Sequence, residues 1–153
     1  TLLFETGGDI LTPENREKYK QLKIMDITQW LKEVVLPRIK VIRPKNRILL
    51  HPTCSCQIMG LTPVLLDIAR KCAREVILPD NWGCCGASGD RGFIFPELSD
   101  SATRDERDEI GHESFDGCYS LARTCEIAMQ DHIEQPYESI VYLVDETIQD
   151  QGT

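Results

Sequence analysis

The sequence contains no apolar run of about 18 residues and no basic segment leading into a short apolar one, so neither a membrane span nor a signal peptide is expected. Clustered positive charge is missing as well: 17 Lys and Arg stand against 25 Asp and Glu, for a formal charge of -8. Such a surface does not track phosphates, which excludes nucleic acid as the expected partner. Internal repeats, low-complexity tracts and long linkers are lacking, so 153 residues read as one core with an extension. An initiator methionine is also lacking. The chain opens on Thr1-Leu2-Leu3-Phe4, as a piece of a longer cytoplasmic protein would.

What is present is an ordered series of elements. Residues 1–45 read as a helical segment. Thr12-Pro13-Glu14 offers an N-cap followed by proline at the first helical position, and Asp26 with Gln29 makes a capping-box pattern beside the staple pair Met25 and Trp30. Ile27, Trp30, Leu31, Val34 and Val35 share one helical face, and Pro37 closes the run. From Asn46 the pattern alternates. Strands are predicted over 47–51 and 75–78, stopped by Pro52 and Pro79, with a weaker one over 115–119. Helices are predicted over 62–72, 96–110, 121–133 and 138–148, the last also compatible with a strand through its β-branched residues. The expected fold class is α/β, a small parallel sheet with flanking helices forming a domain over 46–153 behind the helical segment.

Seven cysteines cannot all pair. A chain without a secretion signal keeps its thiols reduced, so metal ligation or redox chemistry is expected in place of a disulfide framework. The carboxyl ends of parallel strands share one rim, where open α/β sheets bind ligands. Cys54 and Cys56 lie in the loop after the first strand, Cys84 and Cys85 follow the second, and Cys118 with Cys125 end or follow the third. These six are the candidate metal ligands, whereas Cys72 sits on an apolar helix face and reads as core. Thiolates suit iron–sulfur clusters and zinc, although the paired C-x-x-C knuckles of a zinc ribbon are absent.

The run NWGCCGASGDRG places Gly83, Gly86, Gly89 and Gly92 around the adjacent pair Cys84 and Cys85. Glycines allow the sharp turn that makes neighbouring cysteines diverge, and they free backbone amides to donate to an anion. Gly83, Gly86 and Gly89 are therefore candidate cofactor-binding positions. A dinucleotide loop would need G-x-G-x-x-G, which does not occur. His51 reads as a satisfied polar residue at a strand end, and the acidic run 105–109 as a solvated helix face. No residue is assigned a catalytic role.

Three segments, PTCSCQIMG, NWGCCGASGDRGFIFPEL and RTCEIAM, in that order within residues 45–150, resemble the cysteine-rich CCG domain. That family includes iron–sulfur subunits of glycolate and lactate oxidation and the CCG-containing subunit of heterodisulfide reductase. The likeness is strongest to the C-terminal region of FAD-linked D-lactate dehydrogenases, which fuse flavin, ferredoxin-like and CCG segments. The resemblance implies an electron-relaying iron–sulfur cluster of the 4Fe-4S kind, held by Cys54, Cys84, Cys85 and Cys125. The family pattern ends in C-x-x-C, whereas position 128 is Ala, leaving Cys118 or Cys56 to replace the lost ligand.

The resemblance further implies FAD elsewhere in a parent chain, where D-lactate or another 2-hydroxy acid is oxidised. Flavin and ferredoxin-like domains would be the partners, and a quinone or other carrier the acceptor. The location implied is cytoplasmic, peripheral to the inner face of the membrane. This chain has no flavin signature and by itself should not oxidise the acid. Two alternatives stay open: a zinc-stabilised or metal-free interaction module of the same enzyme, and a vicinal-dithiol redox site at Cys84 and Cys85.

Overall fold

The structure, a computed structural model, describes residues 7–149, so Thr1-Leu2-Leu3-Phe4 lies outside the described residues. After a 3-10 turn at Gly7–Ile10 comes α1 (Pro13–Lys20), where Thr12 Oγ1 accepts from the Asn15 amide. The capping box then starts α2 (Ile27–Trp30): Asp26 Oδ1 accepts from the Thr28 amide at 2.8 Å, and Gln29 Oε1 from the Asp26 amide at 3.3 Å. The run does not continue as α-helix. Leu31–Val35 widens into a π-turn and Leu36–Arg38 tightens to 3-10 around Pro37. The Leu36 amide donates to the Leu31 carbonyl five residues back, the π pattern, and both leucines reach the core while Trp30 stays largely exposed.

The remaining elements are β1 (Lys40–Val41), β2 (Lys45–Leu50), α3 (Cys54–Ile58), α4 (Thr62–Cys72), β3 (Ala73–Ile77), α5 (Arg91–Ile94) and α6 (Pro96–Ile110). They are followed by β4 (Gly117–Ser120), α7 (Arg123–Ile133), β5 (Tyr137–Ser139), α8 (Ile140–Thr147) and β6 (Ile148–Gln149). Four strands form a parallel sheet in the order β3-β2-β4-β5. β1 and β6 make a separate antiparallel pair.

The sheet divides two apolar layers because side chains alternate along a strand. Ile48, Leu50 and Tyr119 face α4, α8 and the N-terminal leucines, whereas Leu49 and Cys118 face Ile110 of α6 and Met129 of α7. The N-terminal segment therefore packs into the core of the α/β unit through Leu31 and Leu36. Among the described residues no helix is long and apolar enough to cross a membrane.

Two further local expectations differ from the structure. The stretch carrying Cys54 and Cys56 is a helical turn, because Thr53 Oγ1 accepts from the Cys56 amide at 3.2 Å and caps it. A fourth strand, β5, occupies the start of what was expected to be helix, and α8 begins only at Ile140. Tyr-Glu-Ser has no apolar run to betray a strand; it is one because Tyr137 is buried and pairs with Cys118 in the ladder.

The strand order has a consequence for function. From β2 the chain crosses to β3 on one side, then returns past β2 to lay β4 on the other. Loops leaving the carboxyl ends of β2 and β4 thus diverge, opening the crevice in which doubly wound sheets bind ligands.

Candidate functional site

β2 runs out through His51 and Pro52 to Thr53, whose cap fixes the first turn of α3. That turn separates two cysteines expected together. Cys54 is exposed at the start of α3, while Cys56 turns into the core with Leu61 and Leu65, its sulfur 4.0 Å from Thr62 Oγ1. After β3 the glycine-rich loop is tied to α6 at its beginning: the Asp80 and Asn81 amides donate to the Glu109 carboxylate at 2.7 and 2.8 Å.

Within the loop the glycines differ in purpose. A Cβ at Gly86, whose φ is +72°, would lie 2.6 Å from the Leu98 carbonyl oxygen and 2.7 Å from Ser99 Cα. One at Gly92 would lie 2.6 Å from Ser99 Oγ. Both are seats for α6. The Gly86 amide also donates to Cys84 Sγ at 3.4 Å, Gly89 lines the cavity described below, and Gly83 faces open space.

Cys84 and Cys85 diverge, the first exposed and the second buried. Cys125, near the start of α7 after β4, meets Cys85 with the two Sγ atoms 2.9 Å apart. Cys54, Cys84, Cys85 and Cys125 together line one cavity of about 290 Å³, with Thr53 and Ser88 among its other walls. Four of the six candidate ligands are thus brought together. Cys56 and Cys118 are not: Cys118 points from β4 into the apolar layer beside Leu49 and Met129, where its nearest polar partner is Gln135 Oε1 at 4.0 Å. Cys72 is buried core, as expected.

The four cysteines line one cavity, with Cys85 and Cys125 in contact at 2.9 Å. Among the described residues no three His, Cys, Asp or Glu side chains are arranged to hold a single metal ion. Their ionisation is nevertheless linked. The hydrogen bond with Cys125 holds the Cys85 thiol down to about 6, helped by the Ala87 amide and the charge of His51 and opposed by burial. Cys125 moves the other way, raised by the same hydrogen bond, by burial and by the charges of Cys85, Cys54 and Cys84. Cys54 is raised by desolvation and then by Cys84 and Cys85. Outside the cavity burial alone pushes Cys118 up to about 12, which makes it a poor source of thiolate.

One buried pair close to the site escaped the sequence reading. His51 and Glu106 have side chains about 1% and 2% exposed, with His51 Nδ1 3.0 Å from Glu106 Oε2. The acidic run 105–109 is therefore not simply a solvated face, since Glu106 is buried and Glu109 caps the cysteine loop. The signal was available: Ser99, Thr103, Glu106 and Ile110 follow the four-three-four spacing of the inward stripe of α6. His51 Nε2 and Tyr137 Oη are buried without a hydrogen-bond partner, and the two rings meet edge to face with centroids 6.5 Å apart. In comparisons with known proteins, no family model matches the chain and no curated protein matches it.

Proposed function

We propose that the chain is the cysteine-rich, electron-transferring part of a FAD-linked 2-hydroxy-acid dehydrogenase, with D-lactate as the leading substrate of the parent protein. An iron–sulfur cluster would be held by Cys54, Cys84, Cys85 and Cys125. The observation that carries this reading is that these four thiols, delivered by three separate segments, line one cavity at the carboxyl ends of β2, β3 and β4. The donor set fits the group in kind: thiolates are soft ligands that suit iron–sulfur clusters. A bound cluster would supply one-electron relay.

The chain's own residues have distinct tasks in this reading. Cys85 is ready as thiolate near neutral pH, held there by Cys125 and the Ala87 amide. The Gly86 amide supports Cys84, and the cap at Thr53 orients Cys54. The family's last ligand is absent at Ala128, and neither Cys56 nor Cys118 reaches the cavity to replace it. The set is therefore four thiols, without a fifth. Flavin and ferredoxin-like segments of the parent would feed electrons in, and a quinone or similar carrier at the cytoplasmic face of the membrane would receive them.

Anaerobic reconstitution with iron and sulfide tests the proposal through iron and acid-labile sulfide content, visible charge-transfer absorption and EPR. Wild type, Cys56→Ser and Cys118→Ser should take up the cluster, whereas Cys85→Ser and Cys125→Ser should not. Absence of both absorption and EPR signal in the wild type would sink the reading. One zinc per chain, with stability lost on chelation, would point to the zinc-stabilised interaction module instead.

A further inference from the structure

The contact between Cys85 and Cys125 carries an inference that does not depend on any metal. We propose that in the metal-free chain these two cysteines form a reversible disulfide by exchange with a small disulfide. Their sulfurs are 2.9 Å apart, whereas a disulfide bond is about 2.05 Å long, so they need approach by only about 0.9 Å. They sit on different elements, the loop after β3 and the first turn of α7, forty positions apart in the chain. The adjacent pair is less suited. Every described peptide bond is trans, so the Cα atoms of Cys84 and Cys85 are about 3.8 Å apart, below the roughly 4.4–6.8 Å that a disulfide spans. Cys84 is also exposed while Cys85 is buried, and its sulfur accepts from the Gly86 amide.

Both sulfurs line the cavity, beside the exposed Cys54 and Cys84. Cys85, as thiolate, attacks one sulfur of a small disulfide RSSR; a Cys85–S–S–R bond forms and RS⁻ leaves. Cys125 then gives up its proton and attacks the Cys85 sulfur, breaking the mixed disulfide and expelling the second RS⁻. Two protein thiols lose two electrons and two protons in all, and RSSR gains them to become two RSH. If the cluster proposal above also holds, the same step withdraws two of its four ligands, so thiol redox state would control loading. That consequence rests on the earlier reading, but the disulfide itself does not.

The test uses the full metal-free chain treated with oxidised glutathione, then denatured, alkylated with N-ethylmaleimide and mapped without reduction. Two of the seven thiols should escape alkylation, in a crosslink between the peptides containing Cys85 and Cys125, and dithiothreitol should restore all seven. Cys84 and Cys85 share a peptide, so the assignment rests on Cys84→Ser keeping the crosslink and Cys85→Ser losing it. A crosslink through Cys84 or Cys54, a persistent glutathione adduct or seven alkylated thiols each overturns the proposal. Iron and sulfide uptake by the reduced chain, measured in parallel, separates this failure from failure of the cluster reading.

Discussion

Cys85 and Cys125 share one proton unequally, and the sharing has a pH signature. Cys85 titrates near 6 in the folded chain against an ordinary value near 9. Between those limits the unfolded chain binds a proton that the folded one does not, so stability rises with pH, is complete above about 9, and is lost as pH falls through 6. Cys125 is raised, so its contribution runs the other way: present below pH 9 and lost above it. The urea midpoint of the reduced, metal-free protein should therefore climb from pH 6 to 9 and fall beyond. Cys85→Ser should flatten the climb and remove a thiolate absorbance step at 240 nm near pH 6; an undiminished climb in that variant would assign it to other groups. His51 and Glu106 give a second residue-scale expectation. Removing one partner of a buried pair costs about 3–5 kcal/mol, so Glu106→Ala should lose that much in urea unfolding. Asp105→Ala and Asp108→Ala, on the exposed side of α6, should change stability by no more than about 0.5 kcal/mol. The identities of the four cavity cysteines were legible in the sequence. Their proton sharing was not, because it depends on an Sγ separation that no spacing encodes.

At the scale of elements, the glycine-rich loop is shaped by the helix that follows it. The sequence reading treats the glycines as a cradle for an anion. Gly89 lines the cavity and the Gly86 amide meets a sulfur, while at Gly86 and Gly92 α6 also leaves no room for a Cβ. Gly86→Ala should cost about 2–4 kcal/mol, from overpacking against backbone atoms and from a left-handed φ unfavourable to an L side chain. Gly83 has open space where a Cβ would go, so Gly83→Ala should be neutral or stabilise by up to about 1 kcal/mol through lower unfolded-state entropy. Equal losses for the two variants in chemical denaturation would mean that the loop needs glycine for flexibility rather than for room. Long helices opened by a proline in the first turn, such as α4 and α6, were legible within a residue or two. β5 and the π-turn at Leu31–Val35 were not, since one is three residues long and the other is set by where Leu31 and Leu36 must meet the core.

For the whole molecule, the most useful step from sequence was topological. Strands joined by helices imply a parallel sheet, a parallel sheet puts its loops on one rim, and the cysteines after three strands are thereby drawn together. What that logic does not resolve is which way each side chain turns once it arrives. Cys56 misses the cavity because α3 rotates it inward two positions after Cys54, and Cys118 misses it because β4 points it into the apolar layer. The sequence pattern changes at residue 46. Even so, Leu31 and Leu36, from before it, are buried with Ile48, Leu65 and Leu143, from after it, and β1 pairs with β6. A segment that shares a core should share an unfolding transition. Leu31→Ala should therefore destabilise the whole chain, by about 2–5 kcal/mol as for other large-to-small core changes. The two tryptophans report the two parts separately: Trp82→Phe leaves Trp30 in the N-terminal segment, and Trp30→Phe leaves Trp82 beside the cysteine loop. The two single-tryptophan proteins should show coincident urea midpoints, and Leu31→Ala should shift both by the same amount. A shift confined to the Trp30 signal would mean that the N-terminal helices fold as a separate unit docked on the cysteine-bearing sheet.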